Sequence, residues 1–224
     1  MNLKTIILAA GKGTRMVSEK AKVLHEIAGK SMLQRVVESA EELDSKVLVV
    51  YGHDGEQVKQ AHSGFNISWV EQTEQLGTGH AVKQALDLID KNDVVLILYG
   101  DVPLIKSTTL EQMVGAVGDR SMSLLTVRLA NPDGYGRIVR VNNKVTKIVE
   151  QKDASETELL LDEVNTGIMA VKGAQLTDWL GRLDNKNAQG EYYLTDIIEM
   201  AVNEGVLIKS IHPDNEFEVQ GVNS

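Results

Sequence analysis

Short, unbroken apolar runs followed by stretches of helical period recur through the first half of this chain, and they leave few folds open to it. Ile6-Ile7-Leu8, residues 47–50 and residues 94–98 carry no polar interruption. A strand that is apolar on both faces must be covered on both, which calls for a parallel sheet between helical layers. Between the runs, Leu33, Val36, Val37, Ala40 and Leu43 share one face of a helix predicted over residues 32–43. A short helix over 56–61 leads to a strand over 67–70. Ala81, Val82, Ala85, Leu86 and Ile89 form the inner stripe of a helix over 78–89. The order β-α-β-α-β therefore predicts an α/β fold of Rossmann-like type, with a mixed, mostly parallel sheet. Thr108 and Glu111 have the spacing of a capping box for the next helix.

The second half has a different texture. Residues 124–127, 138–141 and 145–149 read as short strands, the last two joined by Asn142-Asn143 as a hairpin turn. Residues 164–171 form a further strand, and residues 189–202 end in a helix with Leu194, Ile197, Ile198, Ala201 and Val202 inward. This half is expected to be a β-rich extension on the same sheet. No linker separates the halves, so one domain over 1–224 is expected, with a nucleotide-binding part over about 1–120 and a sugar-binding part over about 121–224.

Composition narrows the function classes. The 224 residues hold no cysteine, so thiolate metal sites and cysteine nucleophiles are excluded, and a reducing, cytoplasmic setting fits. A net charge of −9 argues against a nucleic-acid partner. The longest apolar run, residues 94–99, is far shorter than the ~20 residues a membrane helix needs. A glycine-lysine loop follows the first apolar run, where a secretory leader would carry a small-residue cleavage site. The charge is uneven: residues 12–22 hold Lys12, Arg15, Lys20 and Lys22 against Glu19, or 4 − 1 = +3. That marks a local anion site or a solvated loop.

In parallel sheets, ligands sit beyond the carboxyl ends of the strands, so the loops after Leu8 and Leu98 matter most. The first reads Leu8-Ala9-Ala10-Gly11-Lys12-Gly13-Thr14-Arg15-Met16. Small residues let backbone N–H groups approach phosphate oxygens, and Arg15 and Lys22 add charge-assisted donors. A tight structural turn would use the same glycines. A Walker loop is excluded, because Leu24 stands where Gly29-Lys30-Ser31 would need a first glycine. A dinucleotide fingerprint is excluded because Met16 replaces the third glycine. The second loop, Tyr99-Gly100-Asp101-Val102-Pro103-Leu104, sets a carboxylate at the end of the most apolar strand. Such an oxygen suits Mg²⁺, which keeps several waters and takes further ligands from substrate phosphates; a turn or helix cap is the commoner use of an aspartate there. Together the two loops are what a nucleoside triphosphate with Mg²⁺ requires.

Elsewhere, Gln72 and Gly77-Thr78-Gly79 stand between a strand and a helix, where Gln72 can meet a base edge or Thr78 can cap the helix. Gly134-Tyr135-Gly136-Arg137, Glu150 and Asn165-Thr166-Gly167 offer groups that bind sugar hydroxyls or simply turn the chain. Gln189-Gly190-Glu191-Tyr192-Tyr193 is either a lid or the entrance to a helix. The five histidines have no metal spacing, and no Gly-x-Ser-x-Gly elbow is present.

These motifs, with Lys22-Val-Leu-His25, Gln75-Leu-Gly-Thr-Gly79 and Glu218-Val-Gln-Gly-Val-Asn223, resemble the sugar nucleotidyltransferases. They are most similar to the uridyltransferase half of the bacterial bifunctional N-acetylglucosamine-1-phosphate uridyltransferase/glucosamine-1-phosphate acetyltransferase family. The resemblance covers essentially the whole chain. It implies transfer of UMP from UTP to N-acetylglucosamine 1-phosphate, giving UDP-N-acetylglucosamine and pyrophosphate for peptidoglycan and lipopolysaccharide precursors. It also implies residue roles. Leu8, Ala9, Ala10 and Gly11 would hold the nucleotide, with Gln72, Gly77 and Thr78 at the uracil. Arg15 would act on the triphosphate and Lys22 on the phosphates of the nucleotide sugar. Tyr99, Gly100, Gly136, Glu150 and Asn165 would line the sugar pocket, and Asp101 and Asn223 would bind Mg²⁺. Ala21 stands where the family has proline. The family's second half, a left-handed β-helix of hexapeptide repeats that carries acetyl transfer and trimerisation, has no counterpart in these 224 residues; neither property is expected of them. A metal-dependent glycosyltransferase would use a similar sheet, but Pro103 breaks its Asp-x-Asp. A non-catalytic nucleotide-sugar-binding module would keep the pocket and release no pyrophosphate.

Overall fold

The computed structural model describes residues 2–11 and 20–222. One nine-stranded sheet runs through both halves. Its first part is parallel: β1 (Leu3–Ala9) lies between β4 (Lys46–Tyr51) and β6 (Val94–Tyr99), and β5 (Ile67–Glu71) pairs with β4 at the edge. Between these strands come the small β2–β3 ribbon (Glu26–Ile27 and Lys30–Ser31) and helices α1 (Met32–Glu41), α2 (Gly55–Ala61) and α3 (Thr78–Gln84). Helix α4 (Ser107–Ala116) follows β6.

The apolar runs alternate between two cores. Ile6, Leu8, Val50, Val95 and Ile97 face one layer, while Ile7, Val47, Val49, Leu96 and Leu98 face the other. Helix α1 puts Leu33, Val36, Val37 and Ala40, all fully buried, into the second layer, and the Ser31 side chain caps it by accepting from the Gln34 N–H.

The second half continues the sheet in mixed sense, as the sequence predicts. β10 (Glu163–Lys172) runs antiparallel to both β6 and β7 (Ser121–Arg128), and β11 (Leu207–Ile211) lies parallel to β7 at the far edge. β8 (Arg137–Val141) and β9 (Lys144–Val149) form the expected hairpin. Asn142 and Asn143 both take positive φ, at 49° and 64°, the geometry of a type I′ turn. Helices α5 (Glu156–Leu159), α6 (Gly173–Arg182) and α7 (Asp196–Asn203) pack around this half. Among the described residues, no helix is long and apolar enough to cross a membrane.

Three local expectations are corrected. The helix over 78–89 ends at Gln84 and continues as a tighter turn over Leu86–Leu88. Asp93 accepts from the Asp90 N–H at 2.9 Å, which pulls the chain early toward β6. The capping box at Thr108 and Glu111 does not form. Helix α4 starts at Ser107 after Lys106, without a side-chain cap, and the Lys106 N–H donates to the Glu218 carboxylate from the opposite end of the chain. Thr78 is likewise not an N-cap: Gly77 holds that position at φ 112°, and the Thr78 hydroxyl accepts from the Leu194 N–H at 3.1 Å.

Candidate functional site

The parallel register brings the two informative loops together. Leu8 pairs with Tyr99 on one side and Val50 on the other, so β1, β4 and β6 end at one edge. The Gly100 N–H donates to the Leu8 carbonyl at 3.0 Å, which extends the ladder into the second loop. Gly100 is a glycine for want of room: a Cβ there would stand 3.2 Å from Val23 and 3.5 Å from Ala9.

Lys22 opens a 3-10 turn, Lys22–Leu24, and its Nζ lies 2.5 Å from Asp101 Oδ2. Both side chains remain partly accessible, at 14% and 25%. The cation that follows the first loop and the carboxylate of the second therefore meet. Ala21 has φ −52°, within the range proline would fix, so alanine supports the same backbone path here. Ala9, Ala10, Gly11 and Lys22 line a cavity of about 140 Å³ with Gly52, His53 and Asp54. Sequence reasoning misses Gly52; a Cβ there would sit 2.9 Å from the Ala10 carbonyl. Its position just past a parallel strand is the available signal. Arg15 lies outside the described residues. So does Asn223, but the preceding residue, Val222, donates its N–H to the Asp101 carbonyl at 2.9 Å.

Gln72 is buried, with its amide nitrogen 3.3 Å from the Gly77 carbonyl and 3.0 Å from His80 Nδ1. Gly77 and Gly79 meet the backbone of Tyr192: the Tyr192 N–H donates to Leu76 at 2.8 Å, and the Gly79 N–H donates to Tyr192 at 2.8 Å. A Cβ on Gly77 would stand 2.7 Å from the Tyr192 carbonyl. The Gln-Gly-Glu-Tyr-Tyr motif is thus a strap fastened across the entrance to α3.

The same strap reaches the other candidate group. The Tyr193 hydroxyl contacts Asp153 at 3.2 Å, Lys152 donates to Gln189 at 2.8 Å, and the Ala188 N–H donates to Asp153 at 2.8 Å. Thr195 donates to Glu150 at 2.9 Å. Gly136 packs between Ile148 and Glu150: a Cβ there would lie 2.9 Å from Ile148 and 3.4 Å from both Glu150 oxygens, and the Gly136 carbonyl accepts from the Asn165 N–H at 2.9 Å. Asn165 in turn accepts from the Gly167 N–H at 2.9 Å. Gly167, at φ 85°, lets the Tyr99 ring lie flat on β10. Tyr99 joins the two groups: its side chain lies beside Thr78 and within the field of Glu150 and Asp101. Every described candidate residue therefore lies along one band at the carboxyl edge of the sheet. Asp153, Thr195 and Tyr193 belong to the band; Tyr193 comes from the motif read as a lid or helix entrance, whereas nothing in the sequence singles out Asp153 or Thr195.

The electrostatics differ along the band. Burial, then Asp153 and Glu191, push the Glu150 carboxyl above its usual range, against the pull of the Thr195 hydroxyl. Burial and the neighbouring acids, Asp184 foremost, push Asp196 up to about 6. Burial likewise raises the Tyr99 phenol. Among the described residues, no three His, Asp or Glu side chains converge to hold a metal. A second cavity of about 310 Å³ lies off the band, between Val127, Tyr135, Thr166 and Phe217.

Comparison with known proteins gives a consistent picture. A family model described as the MobA-like NTP transferase domain matches residues 5–154. The chain is 56% identical over 223 residues to the bifunctional protein GlmU of Saccharophagus degradans, covering 99% of this chain and 49% of that protein. It is 51% identical over 224 residues to the bifunctional protein GlmU of Acinetobacter baumannii, covering all of this chain and 49% of that one. The chain thus spans about half the length of these relatives. Among solved structures, it superposes on a UDP-glucose pyrophosphorylase complexed with UDP-glucose with TM-score 0.76 and 17% identity, covering 98% of this chain and 94% of that one. A nucleotidyl transferase from Methanothermobacter thermautotroptrophicus gives TM-score 0.71 and 17% identity, over 99% and 92%. At these identities the structural likeness speaks to fold.

Proposed function

Because the chain belongs to the MobA-like NTP transferase family, we propose that it transfers UMP from UTP to N-acetylglucosamine 1-phosphate, releasing pyrophosphate and UDP-N-acetylglucosamine. The observation that carries this reading is the 2.5 Å pair of Lys22 and Asp101 at the shared edge of β1 and β6. A cation and a hard carboxylate side by side, next to a small-residue loop, suit a polyanion that arrives with a divalent ion. The 56% and 51% identities to GlmU proteins support the choice of substrates.

In this reading the part over about 1–120 holds UTP and the part over about 121–224 holds the sugar. Leu8, Ala9, Ala10 and Gly11 offer backbone to the nucleotide, with Gln72, Gly77 and Thr78 at the base. Tyr99, Gly100, Gly136, Glu150 and Asn165 receive the sugar. A phosphate oxygen of the sugar phosphate attacks the α-phosphorus of UTP in line, forming one P–O bond as the bond to pyrophosphate breaks. The attacking oxygen is already ionised, so no general base is needed. Lys22 offsets charge at the reacting phosphates, and Arg15 steadies the departing pyrophosphate. Asp101 fits Mg²⁺: it is a partly exposed oxygen donor that would share the ion with substrate phosphates rather than enclose it. Asn223, which follows Val222 in the sequence, would be the second protein ligand. When bound, the ion would supply charge neutralisation across the phosphates. A cytoplasmic setting, where UTP is made, belongs to the same reading.

The test is pyrophosphate release on mixing the protein with UTP, Mg²⁺ and N-acetylglucosamine 1-phosphate. Release that requires all three is expected. Binding of UDP-N-acetylglucosamine without pyrophosphate from UTP would sink the reading.

A further inference from the structure

Thr195 occupies the N-cap position of α7, where a threonine hydroxyl ordinarily accepts from an amide of the first turn. Here it makes no such bond. The hydroxyl turns outward and donates to Glu150 Oε1 at 2.9 Å, 45 residues away in sequence. Thr195 is 7% exposed, so the bond is shielded from water.

Two further contacts frame this bond. The preceding residue, Leu194, donates its N–H to Thr78 Oγ1 at 3.1 Å, which pins the entrance of α7 to the base-side loop. On the opposite side, Gly136 packs against the carboxylate, since a Cβ there would be in contact with both Glu150 oxygens at 3.4 Å. Asp153 and Glu191 face the same carboxylate, and Asp196, Tyr99 and Tyr193 also lie within its field. A glutamate with three free torsions would swing away from these acids unless a donor held it.

We infer that Thr195 is a positioning residue for the sugar phosphate: its hydroxyl holds one oxygen of Glu150 so that the other is presented to polar groups of the sugar. The inference rests on the proposed uridylyl transfer and on Glu150 facing the sugar. It adds a residue that would act through Glu150, the side chain its hydroxyl contacts.

The experiment is steady-state pyrophosphate release by Thr195→Val, which keeps the shape and removes the donor. KM for N-acetylglucosamine 1-phosphate should rise about tenfold, the size expected when a hydrogen bond to a charged group is lost. The kcat and the KM for UTP should stay within about twofold. Thr195→Ser should restore the sugar KM. The hydroxyl opposes the upward push on Glu150, so its loss lets the neutral carboxyl persist to higher pH. The acid-side rise of the sugar KM should therefore move upward in pH in Thr195→Val. Loss of a shielded bond to Glu150 should also lower the melting temperature by roughly a few degrees, which is read separately from the sugar KM. If Val fails to fold, Thr195→Ala serves the same purpose. An unchanged sugar KM, equal loss for both substrates, or no recovery with serine would overturn the inference while leaving uridylyl transfer intact. A wild-type protein that releases no pyrophosphate would instead remove the parent reading, and the inference with it.

Discussion

The two halves of the sheet solve one problem by opposite means. Around β1, β4 and β6 the strands are apolar on both faces, and the candidate site is built at their carboxyl ends from small residues, backbone amides and the Lys22–Asp101 pair. Around β7, β8 and β10 the apolar interior also encloses a polar cluster. Glu163, at 4% exposure, receives a fork from Arg140 at 2.6 and 2.7 Å and a hydroxyl from Thr126 at 2.8 Å. This half also holds Glu150 and Asp196, whose carboxyls burial and neighbouring acids together push upward; at Glu150 the Thr195 hydroxyl opposes that push. A phosphate needs fixed positive potential, which peptide N–H groups supply at no side-chain cost. Sugar hydroxyls need directional acceptors, which only oriented side chains supply. The lesson is that one half concentrates its chemistry in a few residues, whereas the other spreads it over a network.

The sharpest way to break that comparison is to remove the concentrated residue. Asp101→Asn keeps the shape of the loop and removes the charge that Lys22 and a divalent ion would share. Pyrophosphate formation should fall on the order of 10³-fold, the equivalent of several kcal/mol at a charged transition state. Thermal stability should change little, since the side chain is partly exposed. Loss of the fold with normal activity in the remaining folded fraction would remove Asp101 from the site.

The network half should answer in stability instead. Burial pushes Glu163 upward, but Arg140 and Thr126 outweigh it, and the net direction is down. Arg140→Leu strands this carboxylate in the interior and should cost about 3 kcal/mol in a urea titration near neutral pH. The folded carboxyl titrates below its unfolded range, so the pair stabilises above that range. Its contribution fades as pH falls through the lowered value. The gap between wild type and variant should therefore narrow in acid. A gap that is equally wide in acid would mean that packing, not charge, holds β8 to β10.

Much of the first half is legible because its rules are local. Unbroken apolar runs name the parallel strands, and the spacing of Leu33, Val36, Val37 and Ala40 names α1. Local chemistry also reads correctly at Asn142-Asn143, whose two positive φ values any sequence with that pair invites. The failures mark where distant partners decide. Thr108 and Glu111 have capping-box spacing, yet Glu218 takes over that helix end from 112 residues away. Ser155 and Glu158 have the same spacing and do form the box, with Glu158 Oε2 held by Ser155 while its other oxygen, Oε1, pairs with Lys147 at 3.0 Å. Helix α6 escapes the sequence reading although Leu176, Trp179 and Leu180 repeat at helical spacing. β11 escapes it for a better reason: it is a short edge strand defined by pairing with β7. For the strap over 189–193 the sequence leaves lid and helix entrance both open. Its key bonds run through the Tyr192 backbone, and residue type does not announce them.

The smallest expected effect tests whether the acids beside the second half are a burden on folding. Asp196 stands in the first turn of α7, where the helix field favours a negative charge, yet burial and four neighbouring acids raise it to about 6. The folded state then binds its proton more tightly than the unfolded chain does. Stability should fall as pH rises from about 4 to about 6, the window between the ordinary and the raised value. Asp196→Asn removes the penalty. Discounted for solvent screening of a partly exposed group, the gain at pH 7.5 should be no more than about 1 kcal/mol, and it should vanish near pH 4. Denaturant midpoints at the two pH values measure it. If the asparagine variant is instead the weaker protein at pH 7.5, the helix field outweighs the neighbouring acids. The strain would then be absent from α7, and the contrast between the halves would rest on Glu163 and Glu150 alone.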